Sequence, residues 1–292
     1  MNIDINTQMI TLLGTPLGQS FAARMQNRGY EAAGLNMLYF YTEVDNDHLE
    51  DVVNGLRYMN FAGFAVTKPN KVKVLQYLDE LDPLCRKMGS SNTVVRTPEG
   101  KLIGYNTDGM GFYTSITQDA GIDVEKNIFY CVGSGGAGRA ICSILAYNNA
   151  KKIYITDMIE EAARSLVDDI NTHFAAETGN VPVAEFVHHD DLSKIGCADV
   201  LINASGVGMG KTIGKTSIPK EYIRPEQFCF DACYNPAKTQ FLLDAEEKGC
   251  RIMNGWGLSL YQGAAQIKLW TGKDAPIEAM RQELMDILAE DK

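Results

Sequence analysis

The stretch from Ile128 to Arg139, IFYCVGSGGAGR, limits what this chain can fold into more than any other. Its first five residues are apolar, β-branched or aromatic, the composition of a strand buried in a parallel sheet. Gly133, Gly135 and Gly138 follow at the spacing G-x-G-x-x-G, and from Ala137 the chain turns helical, with Ala140, Ile141, Ile144 and Leu145 at helical spacing. A second apolar run, Ile153 to Thr156, ends at Asp157, 19 residues past Gly138. Gly133 permits the tight turn out of the strand, Gly135 lets backbone approach a pyrophosphate, and Gly138 lets the helix pack closely on the strand. The N–H groups around Ser134, Gly136 and Ala137, at the positive end of the helix dipole, suit phosphate charge. An acid at position 157 accepts hydrogen bonds from both hydroxyls of an adenosine ribose and repels a 2′-phosphate, so the stretch predicts a dinucleotide site that takes NAD rather than NADP.

The chain has 292 residues, too many for one comfortable core and suited to two domains. A net charge of −10 argues against nucleic acid or an acidic membrane as the main partner, but leaves room for a small anion held by local donors. Seven cysteines stand singly with no C-x-x-C, the pattern of reduced, mostly buried thiols in a reducing cytoplasm. The four histidines show no metal-ligand spacing, and the pair His188-His189 reads as surface, so no metal is expected. The N-terminus has no basic flank or long apolar run, so neither a signal peptide nor a membrane span is expected.

Strands at Met9–Leu13, Met37–Val44 and Phe61–Val66 alternate with helices over Ser20–Ala33 and up to Tyr58, the latter capped from Asp45-Asn46-Asp47. Short helical pieces lead to Met88, and Ser91–Arg96 with Leu102–Tyr105 reads as a hairpin. A helix over Gly109–Ala120 leads into the glycine-loop region, which continues with a helix from Glu160 to Phe174. Further strands follow near Val183–Val187, Asp199–Asn203, Phe228–Cys233 and Arg251–Met253, with a helix at Lys238–Glu247. Two last helices, Leu258–Trp270 and Pro276–Ala289, have no strand to cross to. The predicted class is α/β. An N-terminal α/β substrate domain occupies residues 1–109, and C-terminal helices within 256–292 pack back on it; a Rossmann-type dinucleotide domain occupies 110–255. The loop Gly208-Met209-Gly210-Lys211-Thr212 echoes a phosphate-binding loop, but Ser205 stands where that motif needs its first glycine. It reads as a flexible loop lining the nucleotide site.

Two polar clusters follow apolar strands in the first half: Thr67-Lys68-Pro69-Asn70-Lys71 and Asn106-Thr107-Asp108-Gly109. Ligands in α/β sheets bind beyond the carboxyl ends of strands. Oxidising an alcohol by hydride transfer needs one group to take the hydroxyl proton and neighbours to orient it, and a lysine beside a carboxylate does both. Solvated strand ends and a simple turn with a helix cap explain the same residues equally well.

Taken together, these features resemble the shikimate dehydrogenase family over nearly the whole chain. The resemblance is carried by Gly14-x-Pro16, Val66-Thr67-x-Pro69-x-Lys71, Asn92-Thr93, Gly104-Tyr105-Asn106-Thr107-Asp108-Gly109, the glycine loop, Asn203-Ala204, Gly208-Met209, Tyr234-Asn235-Pro236-x-x-Thr239, Gly255, Gln262 and Trp270-Thr271-Gly272, all in the family's order. Asn70-Lys71 and the ending Trp270 to Asp274 look most like the quinate/shikimate dehydrogenase branch. The resemblance implies NAD(P)-dependent oxidation, or the reverse reduction, of a ring hydroxyl on a polyhydroxylated ring carboxylate; a monomer and a homodimer both stay open. It implies Lys71 and Asp108 as the catalytic pair. Thr67, Asn92, Thr107 and Gln262 would hold ring hydroxyls, with Tyr234 and Ser20 near the carboxylate. Asn203, Ala204, Ser205, Met209 and Gly255 would join the glycine loop around the cofactor.

The sequence departs from the family pattern in two places. The carboxylate-binding S-x-S keeps Ser20 but has Ala22 in place of its second serine, and Gln19 replaces the histidine before it. Losing one hydroxyl donor to a buried carboxylate costs on the order of 1–3 kcal/mol. In the nucleotide region, Thr156-Asp157-Met158 stands where NADP-using members show Asn-Arg-Thr, which agrees with NAD. Pairing with an acid and burial act in opposite directions on a lysine's proton, so the proton acceptor is Lys71, Asp108 or the two together. Two rival readings stand beside this one: a dehydrogenase of the same family for another ring acid, such as an aminated analogue, and a non-catalytic NAD-binding regulator.

Overall fold

The computed structural model describes residues 3–18, 20–179 and 181–290. The chain forms two compact units, one comprising residues up to Gly111 and from Ser259 onward, the other Phe112–Leu258.

The first unit begins with β1 (Gln8–Gly14), α1 (Ala22–Ala32), β2 (Met37–Glu43), α2 (Leu49–Leu56) and β3 (Phe61–Val66). It continues with β4 (Glu80–Leu81), α3 (Pro83–Met88), β5 (Thr93–Arg96), β6 (Leu102–Tyr105) and the start of α4 (Thr107–Thr114). The sheet order is β2-β1-β3-β5-β6-β4. β1 runs parallel to both of its neighbours, as the helical crossovers require, whereas β5 runs antiparallel to β3 and β6. Leu13, Phe64, Val66, Val94 and Leu102 from the sheet pack with Leu49 and Val53 of α2 into one core.

Three local details differ from the sequence reading. Residues 80–81 form a short strand rather than helix, pairing in parallel with β6. Asp45 does not cap α2; its Oδ1 accepts from the N–H groups of Asp47 and His48, which closes a turn ahead of the helix, and α2 starts at Leu49 without a side-chain cap. α4 starts at Thr107, two residues early, and passes into a wider π turn over Ser115–Asp119.

The second unit carries β7 (Ile128–Val132), α5 (Gly136–Tyr147), β8 (Lys152–Thr156), α6 (Glu160–His173), β9 (Ala184–Phe186), β10 (Val200–Asn203), β11 (Phe228–Asp231), α7 (Gln240–Glu247) and β12 (Arg251–Met253). Its sheet order is β12-β11-β10-β7-β8-β9, and every pair is parallel. The chain winds outward from β7 in one direction through β8 and β9, then in the other through β10, β11 and β12. The crevice at the carboxyl ends of β7 and β10 is therefore a topological switch point, where such sheets bind ligands. Tyr130, Leu201, Cys229, Phe241 and Leu242 are buried together beneath it.

The chain then forms α8 (Trp256–Thr271) and α9 (Ile277–Glu290). From Ser259 onward these belong to the first unit, so the C-terminal helices do pack back on the N-terminal sheet. Trp270 Nε1 donates to the Val94 carbonyl of β5 at 3.0 Å. Arg24 of α1 meets Glu283 and Glu290 of α9 at 2.8 and 2.5 Å. Among the described residues no helix is long and apolar enough to cross a membrane. Of the seven cysteines, only Cys197 is exposed.

Candidate active site

In the first unit, the polar residues that the sequence left scattered converge at one end of the sheet. Lys71 lies just beyond β3, where the chain is held by Asn70 N–H to the Thr67 carbonyl at 2.9 Å and by Ser91 N–H to the Lys71 carbonyl at 2.8 Å. Asn106 caps α4, its Oδ1 accepting from the N–H groups of Asp108 and Gly109 at 3.2 and 3.4 Å. That cap places Asp108 in the first turn of the helix, where the dipole favours a carboxylate.

Lys71 Nζ donates to Asp108 Oδ2 at 2.6 Å, and Asn92 Nδ2 donates to the other oxygen, Oδ1, at 2.8 Å. Asn92 also reaches Thr107 Oγ1 at 2.9 Å and Gln262 Oε1 of α8 at 3.2 Å, while the Thr107 N–H donates back to Asn92 Oδ1 at 2.7 Å. Asn92 and Thr107 are buried, and the Lys71 and Asp108 side chains retain 18% and 10% of their exposure. A lysine and a carboxylate, both short of solvent yet still reachable, form a pair able to receive and hold a proton.

Five expected residues, Lys71, Asp108, Asn92, Thr107 and Gln262, thus share one hydrogen-bonded cluster. Two others lie elsewhere in the unit. Thr67 follows β3, its N–H on the Leu13 carbonyl at 2.8 Å. Ser20 precedes α1; its Oγ accepts from Ala22 N–H at 3.3 Å and its carbonyl from the Tyr41 hydroxyl at 2.7 Å. Ala22, the first residue of α1, offers no hydroxyl there, and Gln19 lies outside the described residues.

In the second unit, the glycine loop joins β7 to α5. Gly133 has a φ of 109°, and a Cβ on it would lie 2.6 Å from the backbone of Ala204 and Ser205. A Cβ on Gly138 would overlap the Gly133 carbonyl. The loops after β7 and β10 therefore touch backbone to backbone. α5 has Gly135 at its N-cap position and no side chain capping it, which leaves its start suited to an anion. Asp157, beyond β8, reaches across to this loop: its Oδ2 accepts from the Ser134 N–H and hydroxyl at 2.7 and 2.8 Å, and its Oδ1 from Ile159 N–H at 3.0 Å. Burial pushes the Asp157 carboxyl up, but the hydrogen bonds from Ile159, Ser134 and Met158 outweigh it and hold the group below its ordinary value.

The loop after β10 is fixed by a buried carboxylate that the sequence reading did not single out. Asp231, at the end of β11, accepts from Asn203 Nδ2 at 3.0 Å, Cys233 N–H at 2.8 Å and the Thr239 hydroxyl at 2.5 Å. Asn203 Oδ1 in turn accepts from the Ser205 hydroxyl at 2.6 Å. Met209 continues this loop, Gly255 packs against the backbone of Ala232, and the Tyr234 ring meets that of Trp256 at 6.1 Å. Just past β9, His188, His189 and Asp190 place three donor atoms within 4.8 Å of one another, with His188 Nε2 3.8 Å from Glu160 at the start of α6.

Comparison with known proteins identifies the architecture. The family model described as "Shikimate dehydrogenase substrate binding domain" matches residues 12–94, and "Shikimate 5'-dehydrogenase C-terminal domain" matches residues 255–285. A shikimate dehydrogenase (NADP(+)) of Desulforamulus reducens is 35% identical over 283 residues, covering 97% of this chain and 96% of that protein. The chain belongs to the shikimate dehydrogenase family. Within it, the shikimate 5-dehydrogenase of Listeria monocytogenes, solved in complex with shikimate and NAD, superposes with a TM-score of 0.88 at 33% identity, covering 97% of this chain and 98% of that one. The quinate dehydrogenase of Corynebacterium glutamicum, solved with NAD, is a more distant relative, with a TM-score of 0.87 at 25% identity, covering 96% and 99%. The kinship to the quinate branch is thus smaller than the Asn70-Lys71 pair suggests. Membership of the family makes a pyridine nucleotide the cofactor, and the glycine cradle fits its pyrophosphate: two positions exclude a Cβ and an uncapped helix start adjoins them.

Proposed function

We propose that this protein oxidises the ring hydroxyl of shikimate, or of a close ring acid such as quinate, with NAD as acceptor, and catalyses the reverse reduction. The observation that carries the reading is the Lys71–Asp108 pair held at 2.6 Å with Asn92 on the second carboxylate oxygen. When bound, a nicotinamide would supply the hydride acceptor. As the ring C–H bond yields its electron pair, the hydroxyl proton passes to the Lys71–Asp108 pair, and the C–O bond becomes a carbonyl. Asp108 orients the hydroxyl, and Asn92, Thr107, Gln262 and Thr67 offer donors and acceptors to its neighbours on the ring. Ser20 serves the carboxylate. In this reading the first unit binds the substrate and the second, through Gly133, Ser134, Gly135, Gly136, Ala137, Asn203, Ala204, Ser205, Met209 and Gly255, binds the nucleotide.

NAD is favoured over NADP because Asp157, an ionised carboxylate, occupies the end of β8. A 2′-phosphate there would face a like charge, and Thr156-Asp157-Met158 brings no arginine to offset it. The D. reducens relative bears NADP(+) in its name, so the preference rests on this chain's own residues. A second reading is favoured by Ala22, which removes a hydroxyl donor beside Ser20: a ring acid other than shikimate as the preferred substrate. The test is reduction of NAD and of NADP, followed by absorbance, with shikimate, quinate and aminated ring acids at several pH values. Turnover of shikimate or quinate with NAD supports the proposal. Turnover of only another acid supports the second reading, and binding of NAD with no turnover at all points to a regulator.

A further inference from the structure

The Asn92–Asp108 contact is the last link of a longer buried chain. Gln26 of α1, Gln266 of α8 and Thr93 of β5 are 0%, 3% and 0% exposed. Gln26 Nε2 donates to Gln266 Oε1 at 2.9 Å and to the Gly263 carbonyl at 3.2 Å. Gln266 Nε2 donates to Thr93 Oγ1 at 3.0 Å. The Thr93 hydroxyl donates to Asn92 Oδ1 at 3.0 Å, and Asn92 Nδ2 donates to Asp108 Oδ1 at 2.8 Å.

Every link donates in the same direction, and the donor inventory makes that direction consequential. With Gln26 on its oxygen, Gln266 turns its NH₂ to Thr93. With its oxygen accepting from Gln266, Thr93 offers its single proton to Asn92 Oδ1 at 3.0 Å, with Thr107 Oγ1 a second neighbour at 3.1 Å. That proton and the Thr107 N–H both sit on Asn92 Oδ1, so the Asn92 NH₂ faces Asp108. Gln266 also lies one helical turn beyond Gln262, so anchoring it on Thr93 sets the place at which Gln262 Oε1 meets Asn92. Apolar side chains would fill this helix-to-sheet contact without the desolvation cost of two amides and a hydroxyl. The polar atoms of Gln266, Thr93 and Asn92 are all hydrogen-bonded, which fixes one arrangement, while Gln26 Oε1 is buried without a partner.

We propose that Gln266 and Thr93, with Gln26 behind them, are positioning residues that orient Asn92 and thereby Asp108 for proton transfer; this rests on the reading of Lys71 and Asp108 as the catalytic pair. The experiment compares Thr93→Val, Thr93→Ser and Gln266→Met with the intact full-length protein, measuring kcat, KM for the ring acid and for NAD, and melting temperature. Thr93→Val and Gln266→Met lower kcat about tenfold, the scale of one lost buried hydrogen bond, with KM for NAD within about twofold. Thr93→Ser keeps the hydroxyl and restores kcat to within about twofold of the parent. Wild-type turnover in both Thr93→Val and Gln266→Met overturns the proposal, and so does a fall in Thr93→Ser as deep as that in Thr93→Val, which would make packing the cause. Should Gln266→Met not fold, the two Thr93 variants decide, since valine matches threonine in shape. Absence of turnover in the parent protein overturns the catalytic reading and the positioning role together, whereas an active parent with indifferent variants overturns the positioning role alone.

Discussion

Lys71 Nζ and Asp108 Oδ2 stand 2.6 Å apart across 37 residues of sequence, one just past a parallel strand and the other in the first turn of a helix. If the pair receives the hydroxyl proton, Lys71→Ala lowers kcat at least about 100-fold, the lower end of what general base catalysis supplies. The glycine cradle proposed for the dinucleotide belongs to the second unit, so calorimetric titration finds NAD affinity within about twofold of the parent. Retained turnover in Lys71→Ala removes the assignment.

Asp157 sets the second prediction. Asp157→Asn removes the charge facing a 2′-phosphate and keeps an acceptor for Ser134. The ratio of kcat/KM for NADP to that for NAD rises about tenfold or more, because juxtaposed like charges cost more than 1 kcal/mol. An unchanged ratio places the adenosine elsewhere.

Asp231 and Thr239 give a prediction in stability and pH. Burial pushes the Asp231 carboxyl above its ordinary value, against the hydrogen bonds from Thr239, Cys233 and Asn203. A carboxyl whose folded value is raised binds its proton more tightly folded than unfolded. Its contribution is thus most favourable below about pH 4 and falls as pH rises through the folded value. Thr239→Val removes one of the opposing donors and also the N-cap of α7, where Thr239 Oγ1 accepts from Leu242 N–H at 3.4 Å. Denaturant melts at pH 7 show a loss of about 2 kcal/mol, and a smaller loss at pH 4, where the carboxyl is closer to neutral. A loss independent of pH leaves only the cap.

Gly138 tests the cradle. Gly138→Ala drives a Cβ into the Gly133 carbonyl, so the loop between β7 and α5 must move. NAD affinity falls at least about tenfold, in line with overpacking costs of 1–3 kcal/mol. Near-ultraviolet circular dichroism reports whether the rest of the second unit keeps its packing.

The elements that a sequence displays best are those whose pattern and chemistry coincide. The run Ile128–Val132 followed by three glycines admitted one local structure, and β7, the loop and α5 follow it. β4 escaped because two residues carry no periodicity, and the start of α2 escaped because Asp45 uses its side chain to close a turn that resembles a cap in sequence. Lys71 and Asp108 were legible as polar residues beyond strands, yet neither spacing nor composition could say that they meet. Gln266 was harder still. A glutamine among Ile267, Leu269 and Trp270 looks like a solvated helix position, and its only signal was its place one turn after Gln262. Asp231 sits at the end of a buried strand, where an acid reads as exposed until Thr239 and Asn203 are seen folded over it.

The N-terminal sheet is completed by helices whose residues are made last. Trp270 reaches Val94 across 176 positions, and Gln266 reaches Gln26 across 240. On the ribosome, therefore, the unit begun first is finished second: Phe112–Leu258 is contiguous and can close its core while the sheet of β1 to β6 still waits for α8 and α9. During that interval Met25 and Gly29 of α1, which the finished protein packs against Gly263, Ile267 and Met280, face water or a chaperone. A chain that ends near residue 258 lacks the Gln266 partner of Gln26, so the buried chain from Gln26 to Asp108 is assembled only with the final helices.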